Sequence, residues 1–238
     1  MNHTSIVKSI SSHVKVAQGM KAYTNAQYVM GETNSLSGGG ASGLSDVFGA
    51  ALWVVDYALW QATQNIQRVH FHESGTSPYA AWSPSTAPPT TNAPYYGNYM
   101  VAAAVGSAPD TGIAYLDLGS DDGTASGYML YEGDQLARVV LLNMVEYTST
   151  SGDARSSQTF TVNVPNRFKG AKVERLTAAG ADVKTNITFG GVSFDFGLAQ
   201  GKPVIVNRAA AVEQVKVASP GVLKVSVQDT EGVVLHLF

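Results

Sequence analysis

Glu32 is the residue of this sequence best placed to do chemistry. It sits in Gly31-Glu32-Thr33-Asn34-Ser35, at the end of the apolar run Tyr28-Val29-Met30 and just ahead of Ser37-Gly38-Gly39-Gly40. A lone carboxylate delivered by a short strand into a glycine-rich loop, with a long apolar helix straight after it, is how a (β/α) barrel presents a catalytic acid at its C-terminal rim.

The neighbouring polar residues offer less. His70 and His72 are two apart on an expected strand and share one face, a spacing that suits a metal, but no third ligand accompanies them. They read as hydrogen-bonded histidines at the barrel mouth. Glu73 follows the last strand and reads as a loop carboxylate. Trp82 reads equally well as a flat platform for a sugar ring and as a residue that pins its loop. Asn2-His3-Thr4 and Asn186-Ile187-Thr188 fit the N-glycosylation acceptor, with Asn186 in an expected turn the one worth testing.

The elements that must position these residues fall into two regimes, which meet near Gly106 to Thr111. Ser5 to about Ala22 reads as a helix with Ile6, Ile10, Val14 and Val16-Ala17 on its apolar stripe. Tyr28 to Met30 follows as a strand and Ser37 to Gly43 as a glycine loop. Ser42 or Ser45 is then expected to cap a helix whose apolar face starts at Leu44 and runs to about Thr63, with Asp46 in its first turn. Ile66 to His72 is a second strand, parallel to the first, which makes a βαβ unit. Glu73 to Ala93 is long for a plain connection and reads as a functional rim loop. Pro94 opens a last helix, Tyr95 to Val105, closed by Gly106.

After Thr111 the strands come at sandwich spacing: 113–116, 128–131, 138–144, 158–164, 172–176, 192–196, 203–207, 213–217, 222–227 and 233–238. Asp121-Asp122-Gly123, Gly180, Gly190-Gly191 and Pro220-Gly221 supply turns. The expected fold class is therefore α/β plus all-β. Residues 1–108 form the last βα units of a partial TIM (β/α)8 barrel, and residues 109–238 an antiparallel β-sandwich.

Composition narrows the function. The chain has 238 residues, 45% of them hydrophobic and 14% charged, with a net charge of -3. No basic cluster appears, so nucleic acid is not an expected partner. The longest apolar stretch, Val47 to Leu59, is broken by Asp56 and is shorter than the ~20 residues of a membrane span, so no membrane segment is expected. Cysteine is absent, which excludes thiolate nucleophiles, disulfides and cysteine metal sites. No signal-peptide pattern opens the chain.

The two strands and the glycine loop resemble glycoside hydrolase family 79, the β-glucuronidase and heparanase family. The matching stretches are Gly31-Glu32-Thr33-Asn34-Ser35, Gly38-Gly39-Gly40, Leu44-Ser45-Asp46-Val47-Phe48, Leu52-Trp53-Val54-Val55-Asp56-Tyr57 and Val69-His70-Phe71-His72. Asn2-His3-Thr4 resembles the start of a family helix, and the β-rich tail resembles the family's C-terminal accessory domain.

The resemblance implies a retaining glycosidase, in which one carboxylate attacks the anomeric carbon and another, about 5 Å away, protonates the leaving oxygen. It matches Glu32 to the nucleophile. The loop amides, the hydroxyls of Thr33 and Ser35 and the amide of Asn34 are then the groups expected to stabilise the Glu32 charge. It also matches Gly39 and Tyr79 to contacts with a uronate carboxylate. Ser37 stands where several members carry a tyrosine; its hydroxyl still donates a hydrogen bond but reaches less far. The implied substrate is a β-glucuronide or related carbohydrate, with no cofactor and no metal, and the implied location is extracellular.

A closed barrel needs eight strand-helix units in roughly 200 or more residues. The family's general acid/base lies on an earlier strand that nothing here matches. The expectation is a C-terminal fragment of a retaining β-glycosidase, active in a longer form. The alternative is a non-catalytic module, in which the β-sandwich binds carbohydrate or braces a barrel remnant.

Overall fold

The computed structural model of the chain describes residues 1–218 and 220–238. Its first part runs α1 (His3–Met20), β1 (Val29–Thr33), α2 (Phe48–Thr63), β2 (Arg68–Phe71), β3 (Trp82–Ser83), β4 (Thr90–Thr91) and α3 (Ala93–Val105). The second part is β5 (Thr111–Leu116), β6 (Ala125–Glu132), β7 (Gln135–Asn143), β8 (Ser157–Asn163), β9 (Gly170–Thr177), β10 (Thr188–Phe189) and β11 (Val192–Ser193). It ends with α3's short counterpart α4 (Phe196–Ala199), then β12 (Val204–Ile205), β13 (Gln214–Ala218), β14 (Val222–Gln228) and β15 (Glu231–Leu237).

β1 and β2 pair in parallel with α2 between them in sequence, as the spacing predicts. Met30 on β1 and Val69 on β2 pack with Ala17 of α1 and with Ile66. Ile6 and Ile10 of α1 pack with Tyr57 of α2 and Phe71. The α1 stripe is thus as expected except at Val16, which is 51% exposed and falls off it. Asn2 caps this helix by accepting the Ser5 N–H at 3.0 Å, so the helix starts ahead of Ser5.

α2 is apolar nearly all round because it is covered nearly all round. One flank meets α1 and β2, and another meets α3 and the large sheet. Its start departs from the expected serine cap. The helix begins at Phe48 and carries no side-chain cap; the Phe48 and Gly49 N–H groups donate instead to the carbonyls of Val183 and Ala181. Leu44 lies before the helix and is 59% exposed, and Asp46 is not in its first turn. α3 follows expectation, with Pro94 in the first turn and Gly106 at φ +70 closing it. Arg138 completes that end by donating to the carbonyls of Ala104 and Val105.

The strands after Thr111 are antiparallel as predicted, but they form one continuous curled sheet and not two separate ones. Its main path is β12-β11-β10-β9-β15-β7-β6-β5. β13 pairs with both β9 and β14, and β14 pairs with β8, so the sheet turns back over its own face. Phe160, Val162, Leu223 and Val225 from the returning strands pack on Val139, Leu141, Val173 and Val233. On the opposite face, Tyr128, Leu130, Val140, Leu142 and Val234 receive Leu52, Val55 and Leu59 of α2 and Met100 of α3. Each such buried aliphatic side chain contributes roughly 1.5–3 kcal/mol. Two expected strands shorten: 192–196 stops at Ser193, because Asp195 accepts the Gly197 N–H and starts α4, and 203–207 pairs only at Val204 and Ile205. β10, absent from the sequence reading, forms a hairpin with β11 over Gly190-Gly191, both at positive φ.

One buried polar cluster ties the layers together. Asp56 of α2 is fully buried; His3 Nδ1 lies 2.9 Å from its Oδ2 and the Tyr128 hydroxyl of β6 donates to its Oδ1. His3 also stacks on Tyr115 at 5.0 Å. Burial, first, and the Asp56 charge, second, push the Tyr128 hydroxyl well above its ordinary range, so it serves as a donor. Among the described residues no helix is long and apolar enough to cross a membrane.

Candidate active site

Glu32 owes its position to an irregularity in β1. Met30 pairs with Val69 and Thr33 with Phe71, so Gly31 and Glu32 together face the single residue His70. A bulge of this kind re-aims a side chain. The Glu32 side chain is 75% exposed and opens onto a cavity of about 620 Å³ between β1 and α1, lined by Ile6, Ile10, His13, Met30 and Tyr57 among others.

The nearest ionisable partner is His72, whose Nδ1 stands 3.6 Å from Glu32 Oε1. That is within ion-pair reach but beyond a hydrogen bond. Tyr79 meets the His72 ring edge-on, with centroids 5.9 Å apart. The sequence-matched residues Glu32 and Tyr79 are thus joined through an imidazole. His70 lies on β2 and His72 past its end, and among the described residues no cluster of three or more metal-ligating side chains occurs.

The residues expected to stabilise the Glu32 charge are committed elsewhere. Thr33 Oγ1 hydrogen-bonds the Tyr57 hydroxyl at 2.8 Å, Asn34 Nδ2 donates to the His72 carbonyl at 3.0 Å, and Ser35 Oγ donates to Ser45 Oγ at 3.1 Å. They shape the loop around Glu32, and the Asn34 bond fixes the backbone of His72. No signal in the sequence marks His72 as the partner, because the bulge sets its distance from Glu32.

The glycine loop is pressed against the segment that carries Tyr79. Gly38, Gly39 and Gly40 all have positive φ. A Cβ on Gly40 would stand 2.9 Å from Ser45 Oγ and 3.1 Å from the Tyr79 backbone nitrogen, so only glycine fits there. Gly39 lies against Ser77, which brings Gly39 and Tyr79 onto adjoining strips of backbone. Ser37 is exposed on the same loop. Buried Ser45 supports the loop from below by accepting the Ala41 N–H, and Asp46 accepts the Gly43 N–H. Lys184, from the β-rich part, donates to Asp46 at 2.6 Å and to Ser42 at 2.8 Å.

The rim loop is built, not slack. Both Glu73 carboxylate oxygens accept the Ala81 N–H, and Asn92 Nδ2 donates to the Ala80 carbonyl and Ser83 Oγ. Burial pushes the Glu73 carboxyl up against the lowering by the Ala81 and Trp82 N–H groups. Its place is that of a brace for the segment after Tyr79. Trp82 is 59% exposed on β3, and Asn186 lies in an exposed bend at φ +56. Asn2, by contrast, is occupied as a helix cap and as a donor to Asp122.

The profile of the glycosyl hydrolase family 79 C-terminal β domain matches residues 127–234. A β-glucuronidase of Aspergillus niger is 38% identical over all of this chain, which covers 47% of that protein. A β-glucuronidase of Neurospora crassa is 35% identical over 86% of the chain and 43% of the relative. The crystal structure of a 4-O-α-L-rhamnosyl-β-D-glucuronidase from Fusarium oxysporum, in complex with Rha-GlcA, superposes on the whole chain with a TM-score of 0.84 at 29% identity, over 49% of its own length. The chain spans about half the length of the curated relatives it matches. Residues 127–234 thus match the C-terminal β domain of glycoside hydrolase family 79, and the whole chain is similar in sequence to the Aspergillus β-glucuronidase and in fold to the Fusarium enzyme.

Proposed function

We propose that the protein to which these residues belong is a retaining β-glycosidase that hydrolyses β-linked glucuronides, with Glu32 as its nucleophile. The observation that carries this is the grouping of Glu32, His72, Gly39 and Tyr79 around one bulged strand end, in a chain similar throughout to β-glucuronidases. β1, α2, β2 and α3 are read as the last units of a (β/α)8 barrel, within a part spanning residues 1–108, and residues 109–238 as the accessory domain. The earlier strands and the proton donor are assigned to chain outside these residues.

In the first step Glu32 attacks the anomeric carbon and its carboxylate becomes an ester to the sugar, while the proton donor delivers a proton to the departing oxygen. Water then cleaves that ester with the same group acting as base. His72 Nδ1, 3.6 Å from Glu32 Oε1, stands on the side of the carboxylate where it can orient Glu32 for attack. Gly39, Ser37 and Tyr79 are proposed to receive the uronate carboxylate through a backbone N–H and two hydroxyls. Lys184, fastened to Asp46 and Ser42, braces that loop from the β-rich part.

The test uses the full-length enzyme. Glu32→Gln should abolish turnover of an aryl β-glucuronide while substrate still binds, and a fluoro-sugar inactivator should label Glu32. Wild-type turnover in the mutant, or label on another residue, would remove Glu32 from this role.

A further inference from the structure

Trp82 is left unused by the proposed chemistry, and it lines a cleft of its own. It forms one wall of a cleft of about 260 Å³ whose other walls are Tyr95, Phe196, Gln200 and the Thr90-Thr91 strand. Two parts of the chain build it. The β3–β4 hairpin pairs Trp82 with Thr91, and α4 brings Phe196 and Gln200 from the β-rich part. Glu32, His72 and Tyr79 take no part in its lining.

The chemistry of that lining selects a ligand class. A large exposed indole beside two further aromatic rings offers flat apolar faces, which suit the C–H face of a pyranose. The Thr91 hydroxyl and the Gln200 amide are lining groups able to donate and accept, as vicinal sugar hydroxyls require, while the Thr90 hydroxyl already donates to Asn92 Oδ1 at 2.9 Å. The lining holds no carboxylate, lysine, arginine or histidine. The cleft lies at the small end of ligand-site volumes, below the roughly 300–1,000 Å³ typical of drug-sized molecules, and suits one ring. An adjoining cavity shares Thr90 and Thr91 and runs back to Ser42, Asp46, Thr76 and Pro78 beside the glycine loop. That cavity is lined by Lys184, Asp46 and Asp195, whereas no charged side chain lines the cleft at Trp82.

We infer that the Trp82 cleft is a non-catalytic subsite for a neutral sugar residue, at the far end of a seam that leads away from the glycine loop. It binds by stacking on Trp82 with sugar hydroxyls contacting Gln200 and Thr91.

The test uses the full-length enzyme, where loss of one indole N–H resonance of the ¹⁵N spectrum in Trp82→Phe assigns the Trp82 signal. D-galactose, L-rhamnose and D-xylose are titrated separately, with D-glucuronate as the charged counterpart. At least one neutral sugar should shift the Trp82 resonance saturably, with a dissociation constant of the order of 1–10 mM, as expected for one ring. Glucuronate should bind more weakly there. Gln200→Ala should weaken the response, and Trp82→Ala should lower affinity roughly 5- to 10-fold, followed on neighbouring amides of the cleft. The inference is overturned if no neutral sugar moves the resonance, if glucuronate binds as well, or if both variants leave affinity unchanged. A shift of the same resonance on dilution without sugar would assign the cleft to a second copy of the chain and also overturn it.

Discussion

Gly97 sits where α3 crosses α2, and replacing it with alanine should force the two helices apart. A Cβ there would collide with the Ala51 carbonyl oxygen and stand 2.9 Å from Val54 Cβ and 3.1 Å from the Ala51 carbonyl carbon. Ordinary carbon contacts lie near 3.5–4.0 Å, so the helices must separate by about 0.5–1 Å. The obstructing atoms belong mainly to backbone and cannot swing aside. Overpacking of this kind costs about 1–3 kcal/mol, here toward the upper end, and the better helix propensity of alanine returns about 1 kcal/mol. The net loss is about 2 kcal/mol, which for a chain of this size lowers Tm by about 4–8 °C. Gly19→Ala is the matched control. It makes the same chemical change on an exposed face of α1 with no atom within 4 Å of the new Cβ, and should raise Tm by about 2–4 °C. Thermal melts followed by far-ultraviolet circular dichroism decide the matter. If Gly97→Ala melts at or above the parent, the close helix crossing is not what the glycine provides.

Three further outcomes follow from the contacts. Tyr128→Phe leaves buried Asp56 with His3 as its remaining side-chain partner and should cost about 2 kcal/mol in urea unfolding; a loss below about 0.5 kcal/mol would show that the hydroxyl is dispensable. Glu174 is held at about 2, first by the hydrogen bond with His236 and also by Lys172, against 4.5 when free. Its folded-state value is depressed, so its contribution, of the order of 2–3 kcal/mol, is complete above about pH 4.5 and is lost as pH falls toward 2; Glu174→Gln should flatten this acid limb, and an unchanged limb would refute the assignment. Lys184→Ala removes a half-exposed ion pair worth under about 1 kcal/mol, so Tm should hardly move while amide exchange in residues 37–46 quickens; unchanged exchange would mean that Lys184 does not brace the loop.

The elements readable from sequence were those whose determinants are local. Pro94 and Gly106 bracket α3, and the apolar residues of β1 and β2 mark a parallel pair whatever the rest of the chain does. Misreadings cluster where a partner arrives from elsewhere. Ser42 and Ser45 looked like helix caps, yet the amides they would have capped are taken by carbonyls of Ala181 and Val183, and the serines shape the loop. Thr33, Asn34 and Ser35 looked like supports for Glu32, but Tyr57, His72 and Ser45 claim them. Asp56 reads from the sequence as a break in an apolar stretch and as part of a family-like segment, and its partners are not legible because His3 and Tyr128 lie far from it in sequence. Trp82 was legible as an exposed ring but its cleft was not, because Phe196 and Gln200 come from the opposite part of the chain.

The backbone capping of α2 also bears on the order in which the molecule assembles. Until the segment around Ala181 to Val183 has folded against it, the first turn of α2 has open amides and no side chain of its own to satisfy them. On a ribosome that segment emerges long after the helix does. The leading turn of α2, and with it the mooring of the Glu32 loop, therefore sets late. A nascent chain halted before Ala181 should show a formed helix body with a frayed start, so the leading turn of α2 becomes ordered only once the segment from Ala181 to Val183 has been made.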